Sequence, residues 1–322
     1  MESQEKKGED WNFSVSPGES VNEGLIARLQ KPKGKIDVIL DTDTYNEVDD
    51  QYALALMIKS DEKLCVKGIY AAPFSNQNST GPADGMEKSY GEIMNILSLM
   101  KREDLKPLVK RGSFRYLQSE TEHVDSDAAR NLIELALQHS AENPLYVVSI
   151  GAITNIASAI ILQPAIIDRI VIVWLGGSAL HWPDNIEFNM SQDVAAARVV
   201  FGCGAALVQL PCMGVVSSFT TSGPELEYWL RGKNKLCDYL VDYTTKAANH
   251  DSGISTWTRV IWDVTAIGWL LDGDFMLDRL EHSPIPEYSH HYSFDPRRHL
   301  YRYVYHINRD NLFKELFEKL AK

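Results

Sequence analysis

Apolar residues alternate at Ile36, Val38 and Leu40 and then give way to the polar run DTDTYNEVDD, Asp41 to Asp50, which leads into QYALALMIKS. That order predicts a strand, a tight loop and the first turn of a helix. The alternation recurs. CVKGIYAA reads as a second strand entering the polar loop PFSNQNSTGPADG, and Met86, Tyr90, Ile93 and Leu97 then share one helical face. DAARNLIELALQHS, LYVVSIG, ITNIASAIILQ, RIVIVWLGG, DVAAARVVFG and AALVQLPCM continue as helix, strand, helix, strand, helix, strand. The unbroken apolar run RIVIVWL requires burial on both faces, as in a parallel sheet with helices on each side. The last third, with LEYWLRG, CDYLVDYTTKAANH and VIWDVTAIGWLLDG, reads as mainly helical and aromatic. The expected fold class is α/β, one doubly wound, mostly parallel sheet flanked by helices over residues 31–322. A loose arm and a short helix, VNEGLIARLQ, are expected over residues 1–30, and no repeat or low-complexity linker divides the chain further.

Composition narrows the chemistry. With 322 residues, 44% hydrophobic and 24% charged, the chain can bury a substantial core. A net charge of −12 argues against a nucleic-acid surface and for a neutral or cationic ligand, or a metal that masks part of the charge. The basic, aromatic run DPRRHLYRY is too isolated to alter that. Cys65, Cys203, Cys212 and Cys237 form no CxxC pair and read as reduced core thiols. MESQEKKGEDWNFSVSPGES lacks the apolar centre of a signal peptide and no apolar run is long enough for a membrane span, so a cytoplasmic location without membrane contact is expected.

Against this background the first loop stands out. Asp41, Asp43, Glu47, Asp49 and Asp50 place five carboxylates within ten residues at the carboxyl end of a strand, the edge where open α/β sheets bind ligands. Two carboxylates about 5 Å apart repel by roughly 3 kcal/mol at an effective dielectric near 20. A helix N-terminus offsets only about 0.3 to 1 kcal/mol each. A divalent cation offsets more, and an all-oxygen donor set selects Ca²⁺ or Mg²⁺ over Zn²⁺. A solvated N-cap cluster is the plainer alternative. Polar residues follow later strands too: Thr154 and Asn155 after LYVVSIG, and His181, Asp184, Asn185, Glu187 and Asn189 after RIVIVWLGG. Asp263 lies in an apolar segment expected to be helical, where an unpaired carboxylate is costly.

Four segments carry a resemblance: the Asp loop, VVSIGAITNIA at 147–157, DNIEFNMSQDVAAA at 184–197 and VIWDVTAIG at 260–268. Together they resemble the inosine-uridine nucleoside hydrolase family, calcium-dependent enzymes that cleave the N-glycosidic bond of ribonucleosides. The resemblance implies a nucleoside-hydrolase-like fold, Ca²⁺ as cofactor, a small nucleoside or riboside as substrate, and a homo-oligomer, dimer or tetramer. It assigns Asp43 as calcium ligand and general base, Asp50 and Asp263 as carboxylate ligands, and Thr154 as a ligand through its backbone carbonyl. Asp49, Glu187 and Asn189 become sugar-binding residues, Asn76 or Asn78 fills the asparagine position after the second strand, and Asp41 shapes the loop. The family motif D-x-D-x-G-x-D-D is departed from: DTDTYNEVDD is two residues longer and carries Tyr45, Asn46 and Glu47 in the glycine region, the mark of a divergent branch.

Many members have a histidine before the final Asp, where this chain has Trp262. In the purine-specific branch a tryptophan there stacks on the base; core packing is the alternative. His181, His250, His290 and His291 remain as proton donors to the leaving base. Two other functions stay open: a haloacid-dehalogenase-like phosphatase, since DTDT resembles D-x-D-x-T, and a non-catalytic nucleoside or sugar-binding protein. The first gives Asp49, Asp50 and the EFN segment no role; the second needs no base such as Asp43.

Overall fold

The computed structural model describes residues 23–252 and 256–322, with 249–252 described as backbone alone. Most of the expected arm and the side chain of His250 therefore lie outside the described residues. The short helix is α1 (Glu23–Arg28).

Six strands follow the expected alternation: β1 (Ile36–Thr42), β2 (Leu64–Ala71), β3 (Val109–Arg111), β4 (Leu145–Ser149), β5 (Ile170–Leu175) and β6 (Ala206–Leu210). The connecting helices are α2 (Asp50–Lys59), α3 (Pro82–Leu99), α4 (Asp127–Ala136), α5 (Thr154–Leu162), α6 (Phe188–Gln192) and α7 (Val194–Gly202). β7 (Thr220–Ser222) and β8 (Thr258–Val260) pair antiparallel outside the main sheet. Around them lie α8 (Gly223–Trp229), α9 (Lys235–Ser252) and α10 (Val264–Leu270). β9 (Met276–His282), β10 (Ile285–Pro286), β11 (Tyr292–Ser293), β12 (Leu300–Ile307) and α11 (Arg309–Leu320) complete the chain, β10 pairing with β11.

The main sheet has eight strands in the order β3-β2-β1-β4-β5-β6-β12-β9, parallel except for β9 at one edge. Residues alternate between its two faces. Val38, Leu40, Val148, Val171 and Val173 join the core beneath α2, α10 and α11, while Ile39, Val147, Ile172 and Trp174 join the one beneath α4, α5 and α7. Each fully buried branched side chain contributes roughly 1.5 to 3 kcal/mol. Every residue of β5 is buried, as its apolar run requires. Because β1 lies between β2 and β4, the loops leaving β1 and β4 diverge and open a crevice at the strands' carboxyl ends.

Two features differ from the sequence reading. The C-terminal part adds strands, not only helices: in β12 Tyr301 and Tyr303 are buried and Arg302 pairs with Asp278 at 2.6 Å, so period-2 aromatic packing accounts for the basic, aromatic run. Asp263 also sits one residue ahead of α10 instead of within it, because Val260 belongs to β8 and the chain turns between them. The four cysteines are unpaired. Among the described residues no helix is long and apolar enough to cross a membrane.

Candidate active site

The loop from β1 to α2 is held by its own residues. Asn46 N–H donates to the Asp43 carbonyl at 2.7 Å, Gln51 Nε2 to the Thr44 carbonyl at 2.9 Å, and Thr42 Oγ1 to Asp50 Oδ1 at 2.5 Å. These bonds turn Asp43 and Asp50 toward the crevice although neither is more than 1% exposed. Asp263, remote in sequence, arrives at the N-terminus of α10, its backbone N–H 3.4 Å from Asp49 Oδ2. One carboxylate oxygen from each of Asp49, Asp50 and Asp263 lies within 4.8 Å of the others. Asp263 makes no side-chain capping bond to its helix, so capping does not account for its burial.

Both carboxylate oxygens of Asp43 are buried without a hydrogen-bond partner. An uncompensated carboxylate in that position is expensive. Burial, reinforced by the neighbouring carboxylates, pushes Asp43, Asp49 and Asp263 well above the usual range. Burial raises Asp50 to about 7 against the opposing bonds from Thr42 and Asp263. Asp41 also reaches about 7 through burial, although Asn155 Nδ2 at 2.7 Å and Ser149 Oγ at 3.2 Å favour its charged form. Asp41 thus belongs to the loop's scaffold, tying β1 to α5 and β4. The unsatisfied oxygens and the all-carboxylate donor set fit a hard divalent cation.

A cavity of about 180 Å³ opens on this cluster. Its far wall comes from the loop after β5. Glu187 is an N-cap whose carboxylate accepts backbone N–H groups from Gly177 at 2.7 Å and from Asn189 and Met190 at 2.9 Å each. Asn189 Nδ2 donates to the carbonyls of Ile150 at 3.2 Å and Leu175 at 3.0 Å, bridging the exits of β4 and β5. Both line the cavity, as do Trp262, Ile186 and Met213.

The remaining candidates sit farther back. Asn76 Nδ2 donates to Asn46 Oδ1 at 2.6 Å and Asn78 Nδ2 to the Asn46 carbonyl at 3.0 Å, so both brace the first loop from behind. Thr154, at the start of α5, donates its hydroxyl to Asp193 at 2.7 Å. His181 is exposed, and His290 and His291 lie beside β11; none of the three lines the cavity.

Two participants escaped the sequence reading. Gly151 lets the β4 exit pass over Asp43: a Cβ there would meet Asp43 Cγ at 3.0 Å. Arg259, on β8, donates to Glu47 at 2.9 Å across 212 positions of sequence, a pairing no local pattern announces.

A family model described as inosine-uridine preferring nucleoside hydrolase matches residues 38–295, most of the chain and all of the elements that build this crevice. The chain belongs to that family. Among curated nucleoside hydrolases, the pyrimidine-specific ribonucleoside hydrolase RihB of Escherichia coli O139:H28 is 28% identical over 165 residues, 49% of each chain. The match thus spans about half the length of such curated relatives. The solved plant nucleoside hydrolase PpNRh1 superposes with a TM-score of 0.70 at 17% identity, covering 90% of this chain and 99% of the other. A purine-preferring ribonucleoside hydrolase from Gardnerella vaginalis gives 0.68 at 18% identity, covering 88% and 98%. At these identities the nucleoside hydrolase structures establish the shared fold.

Proposed function

We propose that this chain is a calcium-dependent N-glycosidic hydrolase that releases the base from a ribonucleoside or related N-riboside. One observation carries the reading: Asp43, buried with both oxygens unpartnered, faces a crevice where three further carboxylates converge. Asp43, Asp50, Asp263 and the Thr154 carbonyl would hold the ion. When bound, Ca²⁺ supplies the positive charge that lets these carboxylates ionise together and the Lewis acidity that acidifies water.

The chain's own groups do the rest. Asp43 accepts a proton from the attacking water, and Asp49, Glu187 and Asn189 orient the sugar hydroxyls. As the glycosidic bond lengthens, positive charge develops on the sugar, and the surrounding carboxylates stabilise it. Among the described residues no histidine lines the cavity, whereas Trp262 does. Stacking of the leaving base on Trp262, worth roughly 0.5 to 1.5 kcal/mol beyond burial, is therefore the activation this reading assigns. Family membership and the absence of a phosphatase role for Asp49 and Asp50 favour this chemistry over a dehalogenase-like phosphatase, and the base-like placement of Asp43 favours it over pure binding. A homo-oligomer, dimer or tetramer, and a cytoplasmic location belong to the same proposal.

The test is base release from purine and pyrimidine nucleosides by the calcium-loaded protein and by Asp43→Asn. The substitution is expected to lower kcat by about 10² to 10⁴, the usual range for a general base, with the fold retained. Full turnover by Asp43→Asn would remove Asp43 from the mechanism.

A further inference from the structure

Asp41 is met three times by the segment that leaves β4. Its backbone carbonyl accepts from Ile150 N–H at 2.9 Å, Ser149 Oγ donates to Oδ2 at 3.2 Å, and Asn155 Nδ2 donates to Oδ1 at 2.7 Å. These bonds fasten the root of the Asp loop, two residues before Asp43, to the segment that passes over Asp43 at Gly151. Asn155 reaches furthest of the three. It is 1% exposed, its Oδ1 accepts from Ser113 N–H at 2.7 Å and Ser113 Oγ at 2.8 Å, and its Nδ2 also lies 3.5 Å from the Ala71 carbonyl. One carboxamide therefore joins the ends of β1 and β2, the loop after β3 and the start of α5. Gly112 keeps the room for it: a Cβ there would stand 2.1 Å from the Ala71 carbonyl oxygen and 2.4 Å from Asn155 Nδ2.

Thr154 and Asn155 open α5, and their side chains run to different anchors. Thr154 Oγ1 donates to Asp193 Oδ2 at 2.7 Å, an oxygen that also accepts from Leu117 N–H at 2.9 Å. Asn155 runs to Asp41 instead. The first turn of α5 is thus tied on one side to the N-cap of α7 and on the other to β1. Buried hydrogen bonds of this kind fix position more closely than apolar packing, because they constrain direction as well as distance.

We propose that Asn155 is a positioning residue that sets the spacing between two arms of the cation site, the Asp loop with Asp43 and Asp50 and the first turn of α5 with Thr154. The inference rests on the calcium reading above and goes beyond it by assigning the site's geometry to a side chain outside the cavity lining. Spacing matters because the oxygen ligands of Ca²⁺ lie within the narrow range of about 2.3 to 2.6 Å. Without Nδ2, Asp41 Oδ1 loses this bond, and the two arms are held at that point by the backbone and by the longer bond from Ser149.

The experiment titrates calcium into chelator-stripped native protein, into Asn155→Ala and into the exchanged pair Asp41→Asn with Asn155→Asp, then measures kcat and KM for a hydrolysed nucleoside at saturating calcium. Asn155→Ala is expected to raise the calcium Kd and to lower kcat by about tenfold each, with KM changed less, the lower end of the range for groups that hold metal ligands in place. The exchange reverses donor and acceptor between the two positions, keeps acceptors for Ser113 and Ser149, and forfeits only the 3.5 Å contact with Ala71, so it should recover most of the calcium affinity. Should Asn155→Ala not fold, Asn155→Asp alone, which sets two carboxylates face to face, takes its place beside the exchange. A purely structural role predicts a lower melting temperature in the stripped protein with the calcium Kd and kcat of the folded chain unchanged. That outcome overturns the proposal, as does an exchanged pair that binds calcium no better than the single variant. Calcium binding that follows these variants, with no nucleoside hydrolysed, keeps the role of Asn155 and removes the hydrolase. Base release by a native chain that binds no calcium keeps the hydrolase and removes this inference.

Discussion

As the proposed general base, Asp43 would need its carboxylate where water and sugar can both reach it, and its position is set by contacts that tolerate little change. Gly151 is the tightest of these. A methyl group at that position would stand 3.1 Å from Asp43 Oδ1 and 3.3 Å from Ala72 Cβ, so the carboxylate must give way by a few tenths of an ångström. Gly151→Ala is expected to lower kcat by roughly tenfold, the scale on which small misplacements of a reacting group act, with KM changed less. Steady-state kinetics on any turned-over nucleoside checks this, and an unchanged kcat would show that Asp43 has room to spare. A second single-residue effect lies outside the site. His299 is buried with neither ring nitrogen hydrogen-bonded, and burial depresses it to about 4. The unfolded chain takes up this proton near pH 6.5, the folded one only near 4, so this residue's contribution to stability is present above 6.5 and lost as pH falls toward 4. The loss approaches about 3 kcal/mol, and His299→Gln should flatten that part of the acid-side melting curve.

The loop from β1 to α2 shows how much of the site was legible in the sequence. Alternation in β1 and the density of carboxylates located the crevice, because both depend on neighbouring residues: strand period and local repulsion. What holds the loop was not legible. Asn46 anchors Asn76 and Asn78 across about thirty positions, and Glu47 meets Arg259 from β8, contacts that exist only once β2 and β8 are placed. Asn46→Ala removes the partner of the Asn76 side chain and is expected to raise KM several-fold while moving the melting temperature by only a few degrees. A shift in kcat with KM unchanged would argue instead that the loop positions Asp43. The strands β9 and β12 were missed for a related reason. Tyr301 and Tyr303 pack on one face and Val304 on the other by plain alternation, whereas the register shift between Val304 and His306 brings Ile307, an odd-numbered position, to the side of Val304. An irregular strand blurs its own period.

At the scale of the whole molecule, the crevice draws on distant parts of one sheet. The loop after β1 supplies Asp43 and its neighbours, the exits of β4 and β5 supply the wall closed by Asn189, and the turn between β8 and α10 supplies Asp263. No described side chain hydrogen-bonds Asp43, so folding without a cation leaves carboxylates buried at a cost, and the proposed ion would tie the first loop to the last quarter of the chain. Binding of this kind stabilises the fold by mass action, by about 2.7 kcal/mol at a ligand concentration a hundred times Kd. Asp263→Asn removes one of the converging charges and should weaken the thermal response to calcium without abolishing the fold. The most direct measurement is a calcium titration of chelator-stripped protein, following bound ion, melting temperature and base release together. One ion per chain is expected, with a melting temperature that rises as it binds and nucleoside cleavage that appears over the same concentrations. Stripped protein that binds no calcium, melts unchanged in its presence and still releases base at full rate would contradict a cation among Asp43, Asp50 and Asp263.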